Sequence, residues 1–575
     1  MPLSRRDLIR SGFVVGGAVA LGGRPGSAWA ASYPTNPAGT TLAQTLLKGP
    51  PGTLGYRHIV PGAGEPHFMR NDLDAPTAAP GTRTPLVAFA HLTDVHVIDA
   101  QSPARVEYVD RFEDQYSDSD PVIGLLTSSY RPQEMLTSQV AESMVQRVRA
   151  VASGAPASGR PLDFTIQTGD NSDNCQLNET RWNIDLLDGG KVVTPDSGKL
   201  GTYEGVADRK NYDPHYWHPE PGPANKQDIY HTDFGFHDVP GLLAAAIRPF
   251  ASTGLGMPWY SVFGNHDGLV QGNFPKTLPL SAVAMGSLKI SSVPPGVSQA
   301  DAVRALKSVD AAPLLGATAL KSATPVSSDK SRKVINRKQT VTEHFTTTGT
   351  PVGHGYTATN RLNGTAYYTF TSGNVLGIVL DTVNPNGYAE GSIDQQQFNW
   401  LKQRLATSTD KFVIIFSHHT IATMTNPLVL TGLDPRPRVL GAAVKTELLK
   451  HPNVVAWVNG HTHTNEVIAH KPPSGAGGFW EINSASHVDF PQQSRTVELV
   501  DNGNGTLSIF CTMLDHVGPT SYSPSLSNPA QLSALARELA ANDPQERGGI
   551  TAVRDGRRGT LADRNVELLV ANALA

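Results

Sequence analysis

Cysteine is nearly absent from this chain: its 575 residues include two, Cys175 and Cys511. Two isolated thiols cannot build a CxxC zinc site or a disulfide-stapled scaffold. Whether they pair is a matter of where the fold puts them. Charge bias is equally slight. Lys and Arg number 47 against 51 Asp and Glu, a net charge of −4. With no long run of like charge, there is no basic field for a nucleic-acid polymer and no acidic tail. Long hydrophobic runs are missing too. No segment reaches the roughly 20 apolar residues of a membrane-spanning helix, so no stable membrane anchor is expected. No internal repeat is present. What remains, 39% hydrophobic and 17% charged, is the composition of a globular protein with a substantial core. Its length suits one large domain with insertions or two ordinary ones.

The N-terminus is distinctive. Ser4-Arg5-Arg6-Asp7-Leu8-Ile9-Arg10 precedes a Gly-rich apolar stretch at 13–23, and Ala28-Trp29-Ala30 places small residues where a signal peptidase cuts. The order of basic segment, apolar segment and cleavage site resembles a twin-arginine signal peptide over residues 1–30. The expectation is recognition by the twin-arginine export machinery and a periplasmic, cell-wall-associated or extracellular location.

Six apolar runs have the length and β-branched or aromatic content of buried strands: 86–92, 162–168, 258–263, 375–380, 412–417 and 454–459. Segments with helical periodicity lie between them, at 134–151, 241–250, 395–405 and 440–449. Such alternation argues for an α/β fold. Hairpins are expected at 366–381, turning at Gly373-Asn374, and at 496–513, turning at 501–505. Two long intervals, 175–257 and 269–364, read as insertions, the first as a candidate substrate cap. The predicted organisation is a signal peptide at 1–30, an N-terminal extension at 31–84, a core domain at 85–515 carrying both insertions, and a helical extension at 516–575 on the outside.

Five of the six strands run out into polar residues: Asp94-Val95-His96, Gly169-Asp170, Gly264-Asn265-His266-Asp267, His418-His419 and Gly460-His461-Thr462-His463. Open α/β sheets bind ligands at the carboxyl ends of their strands. Asp oxygens mixed with His nitrogens suit Zn, Fe, Mn or Co better than Mg or Ca. Two such ions, sharing one bridging carboxylate, can activate a water and clamp a phosphate together. Gly169, Gly264 and Gly460 would let the backbone turn sharply beside the ligands.

The ordered set DxH, GDxxD, GNHD, SHH and GHTH resembles the calcineurin-like metallophosphoesterases. The resemblance implies a two-sheet β-sandwich flanked by helices and a dinuclear centre of divalent or mixed-valence ions. It assigns Asp94, His96 and His463 to the first metal, Asp170 to the bridge, and Asn265, His418 and His461 to the second. Asp94 and His96, two residues apart in an extended segment, would point the same way. His419 stays open as an alternative to His418. A hydroxide between the ions would attack phosphorus in line, in a site kept cationic by neutral Asn265. His266 would stabilise phosphoryl oxygens or protonate the leaving group, with Asp267 orienting its ring. Asp173 stands where purple acid phosphatases carry a tyrosine ligand, which argues against the coloured iron–tyrosinate form and for a supporting role. His91, His470 and His487 read as core or surface histidines, and Arg105 and Arg111 as solvated, with bidentate phosphate clamping their other possible role. The expected activity is hydrolysis of small phosphate esters. A phosphodiesterase or nucleotidase acting on nucleotides is the alternative. A non-catalytic binding protein on the same scaffold is disfavoured because every ligand position is filled.

Overall fold

The computed structural model describes residues 37–112, 129–316, 319–473, 475–547 and 556–575. The signal-peptide reading at 1–30 lies outside the described residues. Two sheets form the centre. Their strands, in chain order, are β1 (Phe68–Arg70), β2 (Thr84–Leu92), β3 (Phe164–Thr168) and β4 (Trp259–Val262), then β5 (Tyr368–Ser372), β6 (Val375–Val379), β7 (Phe412–Phe416) and β8 (Val454–Asn459). They continue with β9 (Glu466–His470), β10 (Phe479–Asn483), β11 (Gln493–Asp501), β12 (Thr506–Asp515) and β13 (Val566–Ala571). One sheet has seven strands in the order β1-β13-β12-β11-β2-β3-β4; the other has six, β5-β6-β7-β8-β10-β9. All six predicted strands and both predicted hairpins are present.

Period-two alternation explains why the sheets stack. Along β2, Val87 and Phe89 face the other sheet, while Ala88, Ala90 and Leu92 pack on Met144, Val145 and Val148 of helix α1 (Thr137–Val151). Along β7, Ile414 and Phe416 face inward, and Val413 and Ile415 meet Leu401 and Leu405 of α3 (Gln395–Ala406) and Val444 and Leu448 of α4 (Gly441–Leu448). Both faces of each strand are therefore apolar, which gives continuous hydrophobic runs rather than an alternating pattern. Across the interface the Phe89 and Phe416 rings lie 5.6 Å apart, edge to face. The result is four layers, helix–sheet–sheet–helix. Helix α2 (Leu177–Asp188), at the start of the first insertion, completes the outer layer beside α1.

Parallel pairing then places the site. β2, β3 and β4 run parallel in one sheet, as do β7 and β8 in the other. Their carboxyl ends meet at one edge of the sandwich. The two insertions have cores of their own. The first buries Tyr203, Tyr216, Trp217 and Tyr230 beside Leu532, Leu535 and Leu539 of helix α5 (Pro529–Asn542). The second buries Phe274, Leu314 and Val334 with Tyr108 and Cys175. The cysteines sit in different clusters, both buried and both free. Among the described residues no helix is long and apolar enough to cross a membrane.

The tail corrects an expectation. Residues 516–575 do not form an outer helical extension. Helix α5, capped by Asn528 with Pro529 in its first turn, is buried along its length, from Leu532 to Asn542. The chain then ends in β13, bonded antiparallel to β12 and parallel to β1. The segment from Val566 to Val570 buries side chains on both faces, Glu567 among them through its pairing with Arg83, which a helix on the surface could not do. Truncation after Asn565 would strip a doubly paired strand and leave β12 as an open edge. Loss of cooperative thermal unfolding or collapse of soluble yield is the expected outcome. A truncated chain melting as the full chain does would show the strand to be dispensable.

Candidate metal centre

Five strand ends deliver seven side chains to one place, and they do so through a strained backbone. Asp94, His96, Asp170, His461 and His463 have φ of 48°, 45°, 50°, 72° and 56°. Non-glycine residues seldom adopt the left-handed region, at a cost of about 1–3 kcal/mol each. Asp94 and His96 therefore converge because each lies in a left-handed turn after β2, not by the alternation of an extended strand. The glycines have a second purpose besides turning. A Cβ on Gly264 would run into the backbone nitrogen and Oδ1 of Asp170, and one on Gly460 into Thr93 and Asp94 Oδ2. At Gly169, with φ of 91°, the added carbon would meet His418. At these three strand ends only a bare backbone allows the chains to approach.

The donor atoms form two adjoining sets. In the first, His463 Nε2 lies 3.2 Å from Asp94 Oδ1 and 3.3 Å from His96 Nε2. In the second, His418 Nε2 lies 2.9 Å from Asn265 Oδ1 and 3.2 Å from His461 Nδ1. Asp170 Oδ2 joins them, 3.6 Å from His96 Nε2 and 3.1 Å from His418 Nε2. Ligands about 2.0–2.2 Å from an ion are separated from one another by roughly 3.0–3.6 Å in tetrahedral or octahedral arrangements. The residues fit a pair of metal ions sharing one carboxylate oxygen. Asp170 Oδ1 is meanwhile held by the His266 backbone N–H at 2.8 Å. Asn265 donates its amide N–H to the Gly272 carbonyl at 3.1 Å, which turns its oxygen inward.

His418 and His419 both lie in a group able to hold an ion with His461, but their hydrogen bonds differ. His418 Nδ1 donates to the Thr168 carbonyl at 2.9 Å and leaves Nε2 facing the site. Both nitrogens of His419 are engaged elsewhere, 2.8 Å from Thr382 Oγ1 and 2.7 Å from the Ala389 carbonyl. His91 bonds Thr168 and Ser484, His487 bonds Ser494, and His470 bonds Glu481. All three stand apart from the clusters able to hold an ion.

Asp267 requires a correction. Its carboxylate accepts the backbone N–H groups of Asn171, Ser172 and Gly264, and so braces the loops rather than the His266 ring. The His266 Nδ1–H is taken by the Asp173 carbonyl at 2.6 Å. Arg105 is not solvated either. It is buried, paired to the Asp173 carboxylate and, at 2.8 Å, to Glu134. Arg111 is held by Asp213 at 2.9 Å. Sequence reasoning missed Asp489, whose Oδ2 lies 2.6 Å from His463 Nδ1. It stands 26 residues beyond the last motif, with no spacing to mark it.

The electrostatics match this packing. Burial opposes ionisation of Asp94, but His463 and then His418 outweigh it and bring the carboxyl down to about 2. Burial likewise opposes charge on His418, and Asp170 beside it raises the imidazole to about 9. Ligand imidazoles must be neutral, so an ion bound beside His418 would displace its proton. Burial lowers His266 to about 4 and His419 to about 3.

Parallel strand ends from two stacked sheets and a carboxylate shared between two nitrogen-rich donor sets make a candidate site for two metal ions. Residues 228–465 match the family model of the calcineurin-like phosphoesterases, and the chain carries that domain. The match includes Asn265, His418, His461 and His463; Asp94, His96 and Asp170 precede it. The matched segment is thus a metallophosphoesterase domain, and that family implies a dinuclear metal centre. No curated protein sequence matches the chain. Among solved structures it is similar to a dimetal phosphatase from Danio rerio, at 11% identity and a TM-score of 0.34, covering 75% of this chain and all of that one. A purple acid phosphatase from yellow lupin (Lupinus luteus) seeds is similar at 10% identity and a TM-score of 0.29, covering 80% of this chain and 54% of that one.

Close approach at Gly264 gives a direct test. Gly264→Ala should push Asp170 out of line, lowering bound metal and activity together while circular dichroism stays unchanged. Metal analysis of the purified variant checks it; full metal content would mean that the loops can move apart at little cost.

Proposed function

We propose that the protein hydrolyses small phosphate esters at a two-metal centre held by Asp94, His96 and His463 on one side, Asn265, His418 and His461 on the other, and Asp170 between them. The observation that carries the reading is the position of Asp170 Oδ2 within 3.6 Å of His96 Nε2 and 3.1 Å of His418 Nε2, one from each set. When bound, two such ions activate a water as nucleophile and polarise the phosphoryl oxygens. Among the seven donors only Asp94 and Asp170 are anionic, so a pair of divalent ions keeps the site net positive and attracts a phosphate. Asn265 contributes an oxygen without a charge.

His266 is the chain's own candidate for handling the substrate. Because its Nδ1 proton is given to the Asp173 carbonyl, Nε2 is the end that faces outward. Donation from Nε2 to a phosphoryl oxygen or to the leaving group requires the imidazolium, with a second proton on the ring, which a bound anionic phosphate would favour against the burial that lowers His266 to about 4. The test uses p-nitrophenyl and alkyl esters, as monoesters and diesters side by side. His266→Ala should keep its metal and lose about 10²–10⁴-fold in turnover. A smaller loss on p-nitrophenyl than on alkyl esters would mark a proton donor; equal losses would mark charge stabilisation. Wild-type chain that hydrolyses neither ester class in a metal-dependent way would sink the reading.

The export reading rests on the order of Arg5-Arg6, the apolar stretch and Ala28-Trp29-Ala30. The protein is proposed to leave the cytoplasm by the twin-arginine route and to be periplasmic, cell-wall-associated or extracellular. Replacing Arg5 and Arg6 together by lysine should trap an active enzyme inside the cell. Normal export of that double variant, followed by fractionation, would refute it.

A further inference from the structure

The second insertion opens with a tight hairpin laid against the site. Leu269–Val270 pairs antiparallel with Phe274–Pro275, and the Asn273 N–H closes the turn onto the Val270 carbonyl at 3.1 Å. Both residues inside the turn have positive φ, 50° at Gln271 and 65° at Gly272, as in the type I′ turns that join strands. The turn is anchored on both sides. The Gln271 N–H donates to Asn174 Oδ1 at 2.7 Å, and the Asn273 carbonyl accepts the Tyr388 N–H at 3.0 Å. The backbone alone does not call for glycine at 272, since Gln271 takes a similar φ beside it. Space does: a Cβ there would be driven into Cδ2 and Nε2 of His266 and into Asn265 Nδ2, whose amide already donates to the Gly272 carbonyl.

We propose that Gly272 is a positioning residue: its bare α-carbon keeps His266 seated with Nε2 open to the substrate. This rests on the phosphate-ester reading above. The ring is held on its other sides. Its Nδ1 proton is taken by the Asp173 carbonyl at 2.6 Å, and the His96 ring stands edge to face with it, centroids 4.6 Å apart. The His266 backbone is fixed as well, its carbonyl accepting the Cys175 N–H at 2.9 Å. An added methyl group would therefore break the bond to Asp173 or stand against Nε2, the atom that must meet a phosphoryl oxygen or a leaving group. A displacement of about 1 Å at such a group can cost on the order of 10²-fold in rate. The same hairpin sends Phe274 into the core of the second insertion, which couples the packing of that insertion to the seat of His266.

Gly190 supplies the control. Its φ of 68° nearly matches, yet apart from its chain neighbours nothing among the described residues lies within 4 Å of a Cβ there. Gly190→Ala thus carries the backbone strain without the collision. With metal in excess, Gly272→Ala should turn over p-nitrophenyl and alkyl phosphates on the order of 10²-fold more slowly than Gly190→Ala. In a His266→Ala background the same change should cost much less, because the ring it strikes is gone. A second readout needs neither metal nor turnover. In metal-free full-length protein with isotope-labelled histidine, the His266 ring resonance is assigned by its loss in His266→Ala. It should move in Gly272→Ala and stay in place in Gly190→Ala. Should Gly272→Ala fail to fold, Gly272→Asn decides, because asparagine accepts this φ more readily and still brings the Cβ. An unmoved ring resonance, or an equal loss of rate with and without His266, would overturn the proposal alone. Wild type that hydrolyses neither ester would overturn the phosphate-ester reading instead, and the ring resonance then decides by itself whether Gly272 seats His266.

Discussion

One carboxylate oxygen organises this molecule. Asp170 Oδ2 stands between imidazoles that arrive from different sheets, His96 after β2 and His418 after β7. For a single oxygen to serve both, the ends of the two sheets must come together at one edge. The Thr168 carbonyl, at the end of β3, accepts the His418 Nδ1 proton across that edge. The Asp170 backbone must also come so near to residue 264 that no side chain fits there. The rest of the sandwich serves to hold this closure against the repulsion of buried carboxylates and the loss of their hydration.

The closure is expensive locally. Five of the converging residues sit in a left-handed backbone conformation, and several such distortions together rival the net stability of an ordinary domain. They persist because the surrounding core leaves the loops no alternative. Phe89, Phe164 and Phe416 pack in the core between the sheets, and Asp267 ties three backbone N–H groups of the neighbouring loops into one carboxylate. Strain at the site is thus balanced by apolar burial between the sheets. The insertions and the tail add to this support: α5 covers the first insertion, and Arg557 reaches back to Asp489.

Much was legible in the chain itself. The six core strands have apolar residues on both faces, and their shortness, β-branched or aromatic content and bounding glycine and polar residues favour buried strand over helix. The ligand motifs were legible because each is compact: a few residues at a strand end carry all the required donors. The same locality explains the limits. His419 carries the same chemistry as His418 one position away, and only the partners at Thr382 and Ala389 set it aside. Asp267 sits next to His266 in sequence but is turned to the backbone, while Asp173, 93 residues earlier, holds the ring through its carbonyl.

The sequence by itself determined the layered α/β class, the strands, and the short Asp, Asn and His motifs that follow them, because hydrophobic periodicity and short motifs are local properties. Tertiary structure alone decided that residues 566–571 become an inner strand rather than helix, since that choice depends on open edges supplied by β12 and β1. It also decided that Asp489 and its arginines stand behind His463, and that three glycines are required for space. Those outcomes depend on distances between segments far apart along the chain, and no local pattern encodes such a distance.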